Sequence, residues 1–441
     1  MTESPVLAWQ ARQINRVRLG LQSTPARLRL GAVLLAAGAI LFGALAASAA
    51  STRRQAANSV ATRTEPLLVA AEGLYASLSD ADATAATSFL TAGLEPPARR
   101  ERYASDLRAG SEQLATLARQ ASGSGDARAA VRTLASELPV YNGLVEAARA
   151  NNRQGLPVGA AYLRRASALM RERLLPAAGR LYAIEARRLS GDYSSGVSTG
   201  TLIAVIAVAC LMLGLLIIVQ ALLARRTNRI INVPMALATA LVFALGLWLL
   251  VGFIDEQNAL DRAQRAGSDP VEVFSAARVL MLRAQADEGL ALVARGGGES
   301  SLDDFNAVAR HLGSAGAPAS LLGQAAAIAK RSGSVSPVYS LSGRFGRYLA
   351  LHRHVVALET NGHFTSAVAL AVGTHGQELS QSDALSEDLV GQIRVAQRRF
   401  GSAATDATSS LNGLWLAIPL LTALFAGLAL YGLLLRLREY R

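Results

Sequence analysis

Apolar residues are distributed along this chain in two regimes. Four stretches, Leu30 to Ala50, Thr201 to Ala224, Val233 to Ile254 and Leu414 to Leu435, are almost continuously apolar and hold no charged residue in their interiors. Each comes close to the roughly 20 residues a helix needs to cross a hydrocarbon core about 30 Å thick, which predicts four transmembrane helices. The two long intervals between them are different. There apolar residues recur at helical spacing among polar ones, as in "YNGLVEAARANNRQG" at 141–155, where Tyr141, Leu144, Val145 and Ala148 share a face before the pattern breaks.

The breaks divide each interval into helices. In the first, Ala57 to Ala92 reads as one long helix, "EPP" at 95–97 stops it, and a second runs from about Ala98 to Ala121. "SGSGD" follows, with Asp126 as the expected N-cap of a third helix. "NNRQGLP" then leads into a fourth helix that continues into the second span. The second interval breaks at "GGGES", "RSGSVSP" and "TNGH". Four helices entered from one span and left by another describe an up-down-up-down bundle. That topology predicts that the corners at 93–97 and 151–157 both lie at the far tip of the first bundle.

The second half also echoes the first. Tyr141 and Tyr348 each stand 14 residues before a glycine and are 207 apart; Asp82 and Asp287 are 205 apart, and the Arg187, Arg188 and Arg398, Arg399 pairs are 211 apart. The even spacing reads as a tandem duplication of span, outer domain and span. The fold class expected is therefore an all-α membrane protein with four transmembrane helices and two extracytoplasmic up-down four-helix bundles. Its parts are a basic tail (1–29), a span (30–50), the first bundle (51–200), a span (201–224), a loop (225–232), a span (233–254), the second bundle (255–411), a span (412–435) and a short tail (436–441).

Charge sets the orientation. The tail before the first span, the loop between the second and third, and the C-terminus carry eleven arginines against two acids, Glu3 and Glu439, out of a net charge of +12 for the chain. Short positive segments stay in the cytoplasm, so both termini are expected inside and the bundles outside, in a multi-pass cell-membrane protein. "ALAASAA" at the end of the first span resembles a signal-peptidase site, but that apolar run is longer than a signal core and follows a long basic tail. Because the excess charge is juxtamembrane and lacks interleaved aromatics, it favours anionic lipid or an acidic protein over nucleic acid.

Chemistry is sparse. His352 and His354, two apart, point to different helix faces, as do Asp80 and Asp82, so neither pair makes a metal or acid-base site. Asp303 and Asp304 read as first-turn capping acids. The one cysteine, Cys210, lies in a span. No nucleotide, zinc-protease or dinucleotide motif occurs, so no catalytic residue, metal or cofactor is expected and the protein is not read as an enzyme. Small residues four apart in the spans (Ala39 and Gly43; Ala236, Ala240 and Ala244; Ala423 and Gly427) suit close helix packing within the chain or in a homodimer.

The outer-bundle plan resembles the ligand-binding regions of bacterial chemoreceptors and sensor kinases. More closely, "LYASLSDADATAATSFLTAG", "YNGLVEAARANNRQGLPVGAAYLRRAS" and "RRTNRIINVP" resemble the GlnX-type membrane proteins of actinobacteria, over nearly the whole chain. That resemblance implies a non-enzymatic sensor of amino-acid availability. An extracytoplasmic solute-binding lipoprotein captures aspartate or glutamate and docks on the bundles, and the membrane protein signals to a soluble Ser/Thr kinase that controls nitrogen and carbon metabolism. The residues expected to meet the lipoprotein are the tip residues Asn151, Asn152, Arg153, Gln154, Asn361 and His363. Arg225, Arg226, Arg229 and Asn232 are expected to contact the cytoplasmic partner or to set topology. Two other readings stay open: a scaffold bracing an envelope assembly, and a chemoreceptor-like sensor that binds its ligand directly.

Overall fold

The structure is a computed structural model, and it describes residues 24–90, 95–120, 124–196, 199–227, 232–295, 297–331, 335–372, 377–410 and 413–438. The basic stretch before Thr24, Arg229 and the last three residues lie outside that set. Every regular element among the described residues is helical. In chain order they are α1 (Thr24–Ser59), α2 (Glu65–Ser88), α3 (Pro97–Gln120), α4 (Gly125–Arg153), α5 (Val158–Leu169), α6 (Leu175–Gly196), α7 (Thr199–Thr227) and α8 (Val233–Ala263). There follow α9 (Asp269–Val293), α10 (Glu299–Leu312), α11 (Leu321–Arg331), α12 (Ser336–Thr360), α13 (Phe364–Val372), α14 (Gln377–Ser410) and α15 (Leu414–Arg438).

The chain divides into two compact units. The first draws on residues 1–58, 193–260 and 405–441 and contains the apolar stretches. Three helices among the described residues are long and apolar enough to cross a membrane, and Leu416–Gly432 forms a shorter apolar helix. This is a membrane protein. The four apolar stretches share one core, in which Leu35 and Phe42 meet Met212 and Leu216, Met235 and Val242, and Ile418 and Phe425. Of the small-residue rows, Ala39 is buried and Gly43 sits so close to Thr422 that a Cβ there would lie 2.7 Å from its methyl. The rows on α8 and α15 are different: Ala236, Ala240, Ala244, Ala423 and Gly427 face outward, and larger residues such as Val242 and Phe425 make the core. A four-residue period marks a face without saying which side of the helix the neighbours occupy.

Polar fasteners complete this unit. The Gln220 amide donates to Thr239 Oγ1 (2.6 Å) and the Met235 carbonyl (3.0 Å), and the Asn232 amide donates to the Gly432 carbonyl (3.0 Å). Just beyond the apolar stretches, Arg53 pairs with Glu256 at 2.6 Å and lies 4.4 Å over the Phe253 ring, with both charged side chains buried.

The second unit is built from 59–192 and 261–404. These two segments, read from sequence as separate bundles, share a core: Leu282, Ala286 and Leu290 of α9 pack with Leu74, Leu78 and Ala81 of α2. Helices α2 and α9 run side by side at the centre, so close that a Cβ on Gly289 would lie 3.2 Å from the Ala86 backbone. Around them, α3 to α6 cover one side and α10 to α14 the other.

Helix boundaries follow local chemistry, with some corrections to the sequence reading. Ser124, not Asp126, caps α4, its hydroxyl accepting from the Ala127 N–H at 3.3 Å. Asp303 and Asp304 lie past the first turn of α10, which begins at Glu299, so they cannot cap it. The second half's descending limb is broken in two by "GSAGAPAS" at 313–320, where Gly313 takes φ 61°.

Among the described residues, three single π-helical turns, at 60–64, 170–174 and 264–268, interrupt the long helices. Each ends one residue before an X-Pro step, at Pro66, Pro176 and Pro270. Proline has no N–H and its ring collides with the carbonyl four residues back. The preceding N–H instead reaches five residues back, Glu65 to Val60, Leu175 to Met170 and Asp269 to Gln264, and the helix widens rather than breaks.

Candidate functional site

Helices α2 and α9 are buried all round near their ends: every residue from Ala81 to Ser88 and from Ala284 to Leu292 is covered. A helix enclosed in this way is ordinarily apolar throughout. These two carry Asp80, Asp82, Gln285, Asp287 and Glu288, all buried. Buried charge persists only where it is paired or hydrogen-bonded, so the partners define the site.

Within the first half, Asp82 accepts from the Tyr141 hydroxyl (3.3 Å) and the Ser167 hydroxyl (2.8 Å). In the second half the matching tyrosine, Tyr348, donates to Glu288 (3.1 Å), which also meets His352 Nδ1 at 2.5 Å. His352 in turn stacks on Phe305 with ring centroids 3.6 Å apart. Alignment by sequence places Asp287 opposite Asp82; in space the tyrosine's partner is Glu288. One residue along a helix turns a side chain by about 100°, enough to move Asp287 to another face.

That other face looks across to the first half. Asp287 pairs with Arg171 of the π turn, which also reaches Asp304 at 3.5 Å, and Arg283 stands 3.9 Å away. The exchange is reciprocal, because Asp80 of α2 pairs with Arg278 of α9 and with Arg102 at 3.5 Å. Arg102 and Arg99 extend the bridge to Asp383 on α14, at 3.1 and 3.5 Å. A hydroxyl link, Ser275 donating to Glu72 at 2.9 Å, completes the seam.

Burial governs the protonation of this seam. Loss of solvent pushes Asp287 up to about 7, with Arg171 and Arg283 opposing and the nearby Asp304 and Asp82 adding to the rise. Desolvation likewise raises Asp82 against the pull of Arg171, Ser167 and Tyr141. Asp106 on α3, beside Asp80, is carried to about 7 chiefly by burial, and its Oδ2 meets no donor among the described residues. The arrangement can take up protons near neutrality and can hold two helix pairs in register. Among the described residues no group of three His, Cys, Asp or Glu could hold a metal ion.

The predicted corner residues gather at the end of the unit where α2 and α9 stop, and Leu90 packs there with the cluster of Leu292, Val355 and Ala367. Asn151 closes α4 by donating to the Ala147 carbonyl (2.8 Å), and Asn361 does the same to Ala357 (2.8 Å). Gly155 and Gly362 follow with φ of 69° and 79°, a left-handed turn that other residues resist. Asn152 ties this corner to the end of α2 through the Phe89 carbonyl (3.3 Å). Arg153, Gln154, Asn361 and His363 are exposed. In the first half the corner borders a cleft of about 50 Å³ lined by Ser88, Glu95, Arg100, Arg149, Asn152 and Arg153, among others. At the other corner Arg295 lies 5.0 Å over the Phe364 ring.

Of the loop residues, Arg225 and Arg226 belong to α7 and Asn232 makes the bond to Gly432 already described. The sequence reading missed the cross-half arginines, Arg171, Arg278 and Arg102. Its one available signal was the run of buried acids on helices otherwise rich in alanine.

Residues 56–194 match the model of a family described as an actinobacterial sensor domain. No curated protein and no solved structure matches the chain. The matched segment coincides with the first half of the second unit and points to a sensor role.

Proposed function

We propose that this chain is a multi-pass sensor with four spans and cytoplasmic termini, arisen by tandem duplication, that relays the state of an extracytoplasmic amino-acid-binding lipoprotein to a cytoplasmic Ser/Thr kinase. The observation that carries the reading is the sensor-domain match over residues 56–194. The duplication is supported by two π turns 204 residues apart, each followed by an acid and a proline, Glu65-Pro66 and Asp269-Pro270.

The cleft at the corner end, about 50 Å³, is far below the roughly 300–1,000 Å³ of small-molecule sites. This favours a ligand delivered on another protein over one bound directly at that end. Docking at Arg153, Gln154, Asn361 and His363 would act on α2 and α9, which end there and whose polar seam resists independent movement.

Photo-crosslinkers at Arg153 and His363, in the full chain in its native membrane, test the reading. A lipidated solute-binding protein is expected in the adduct, with a yield that changes when aspartate or glutamate is supplied. Failure to capture any such protein from either corner refutes docking there. On the other side, replacing Arg225, Arg226 and Arg229 by alanine is expected to weaken kinase recruitment with topology unchanged by accessibility labelling; inverted topology would make these residues orientation determinants only.

A further inference from the structure

The cleft beside Asn152 has a specific charge pattern. Three arginines line it, Arg100 from the first turn of α3 and Arg149 and Arg153 from the last turns of α4, against one acid, Glu95. Arg149 is committed: it pairs with Glu95 (3.0 Å) and Glu146 (2.6 Å), and it lies 4.2 Å over the Tyr103 ring. Arg100 and Arg153 are exposed and form no ion pair among the described residues. The pocket therefore holds two uncompensated guanidinium groups, with Arg149 and Glu95 neutralising each other in its wall.

Size and surroundings narrow the occupant. About 50 Å³ admits a functional group rather than a whole metabolite. The floor is apolar, formed by Ala85, Phe89, Val145 and Leu163, and next to it Leu156 and Val158 are 44% and 47% exposed. Arginine beside exposed apolar side chains is the composition of a protein interface. A planar carboxylate is the anion that guanidinium forks bind best from a protein partner.

We infer that this cleft receives an aspartate or glutamate side chain of the docked extracytoplasmic protein, held between Arg100 and Arg153. The inference rests on the docking reading above and adds to it the chemistry of the contact and its confinement to the first half. At the other corner the polar residues are Glu359, Thr360, Asn361 and His363, with no arginine among them, and the nearby Arg295 lies over the Phe364 ring.

The chain's lysine content makes a direct test possible, because Lys330 is its only lysine. In a Lys330→Arg background, R153K or R100K places the sole side-chain amine in the cleft. A water-soluble carbodiimide then joins that amine to a carboxylate in contact with it, forming an amide as the carbodiimide takes up water and leaves as a urea. With the full chain in native membranes, both variants are expected to give an adduct to an Asp or Glu of an extracytoplasmic lipoprotein, and H363K is expected to give none. R100E/R153E is expected to lower capture by a photo-crosslinker at Gln154 by about tenfold, since like charges oppose docking.

Coupling only to Glu95, or no coupling while the Gln154 crosslinker still captures a lipoprotein, overturns the carboxylate assignment and leaves docking standing. Protection of the amine by free glutamate or phosphate, with no protein adduct, overturns it in favour of a small anion. Absence of capture by every probe removes the docking reading and this inference together.

Discussion

The guanidinium of Arg171, on a π turn of the first half, pairs with the carboxylate of Asp287, a fully buried residue of the second half. With the reverse pair, Arg278 to Asp80, it makes each half the counter-ion of the other. Arg171→Ala leaves buried Asp287 with only Arg283, 3.9 Å away. Above about pH 7, where the Asp287 carboxylate is charged, this is expected to cost up to about 3–5 kcal/mol, because removing one partner of a buried pair leaves the other charge poorly compensated. Arg171→Met with Asp287→Leu is expected to recover most of that loss. Chemical unfolding of the full chain in detergent measures both; a single variant as stable as the parent would refute the pairing.

Stability is expected to depend on pH through Asp106 and Asp287, both raised to about 7 by burial. Unfolded, such a carboxyl titrates near 3.9. Between about pH 4 and 7 the folded chain therefore binds more protons than the unfolded one, and its stability falls as pH rises through that window. Asp106→Asn removes one titrating group and is expected to flatten the fall, with its largest gain over the parent at pH 7 and above. Melting temperature against pH for the two proteins gives the comparison.

Tyr141 and Tyr348 play equivalent parts with unequal support. Tyr141→Phe leaves Asp82, already raised by burial, with Ser167 as its hydroxyl donor, and is expected to destabilise by about 1.5–3 kcal/mol. Tyr348→Phe leaves Glu288 its contact with His352, and a smaller loss of about 1 kcal/mol is expected. Equal losses would show that the two tyrosines are not differently backed.

Close packing at a π turn gives a fourth test. A Cβ at Gly267 would lie 2.5 to 2.9 Å from Phe400 Cβ, Cα and N, so Gly267→Ala is expected to cost about 1–3 kcal/mol. Gly391, on the same α14 as Phe400, has open space where its Cβ would be, and Gly391→Ala is expected to stabilise by up to about 1 kcal/mol. Thermal denaturation of the two variants side by side decides it.

Much of the architecture was legible because it depends on composition summed over many residues. Twenty apolar residues in a row need no neighbour to declare themselves, and the corners at "NNRQG" and "ETNG" are marked by asparagine and glycine acting locally. The π turns were legible in principle, since Pro66, Pro176 and Pro270 each sit within a helical pattern, yet a single proline reads equally as a break. Only the neighbouring turns decide whether the helix widens or ends.

The sequence by itself determined that this is a helical, membrane-embedded chain with two polar intervals of similar plan, because periodicity and hydrophobic length are properties of each segment alone. The tertiary structure decided which sides of those helices meet. It turned Ala236, Ala240 and Ala244 outward, set Glu288 rather than Asp287 against Tyr348, and joined the halves through Arg171 and Arg278. The physical reason is the same in each case. A buried carboxylate is tolerable only beside a donor, and which donor stands beside it is fixed by the rotation of one helix against another, a quantity no local pattern contains.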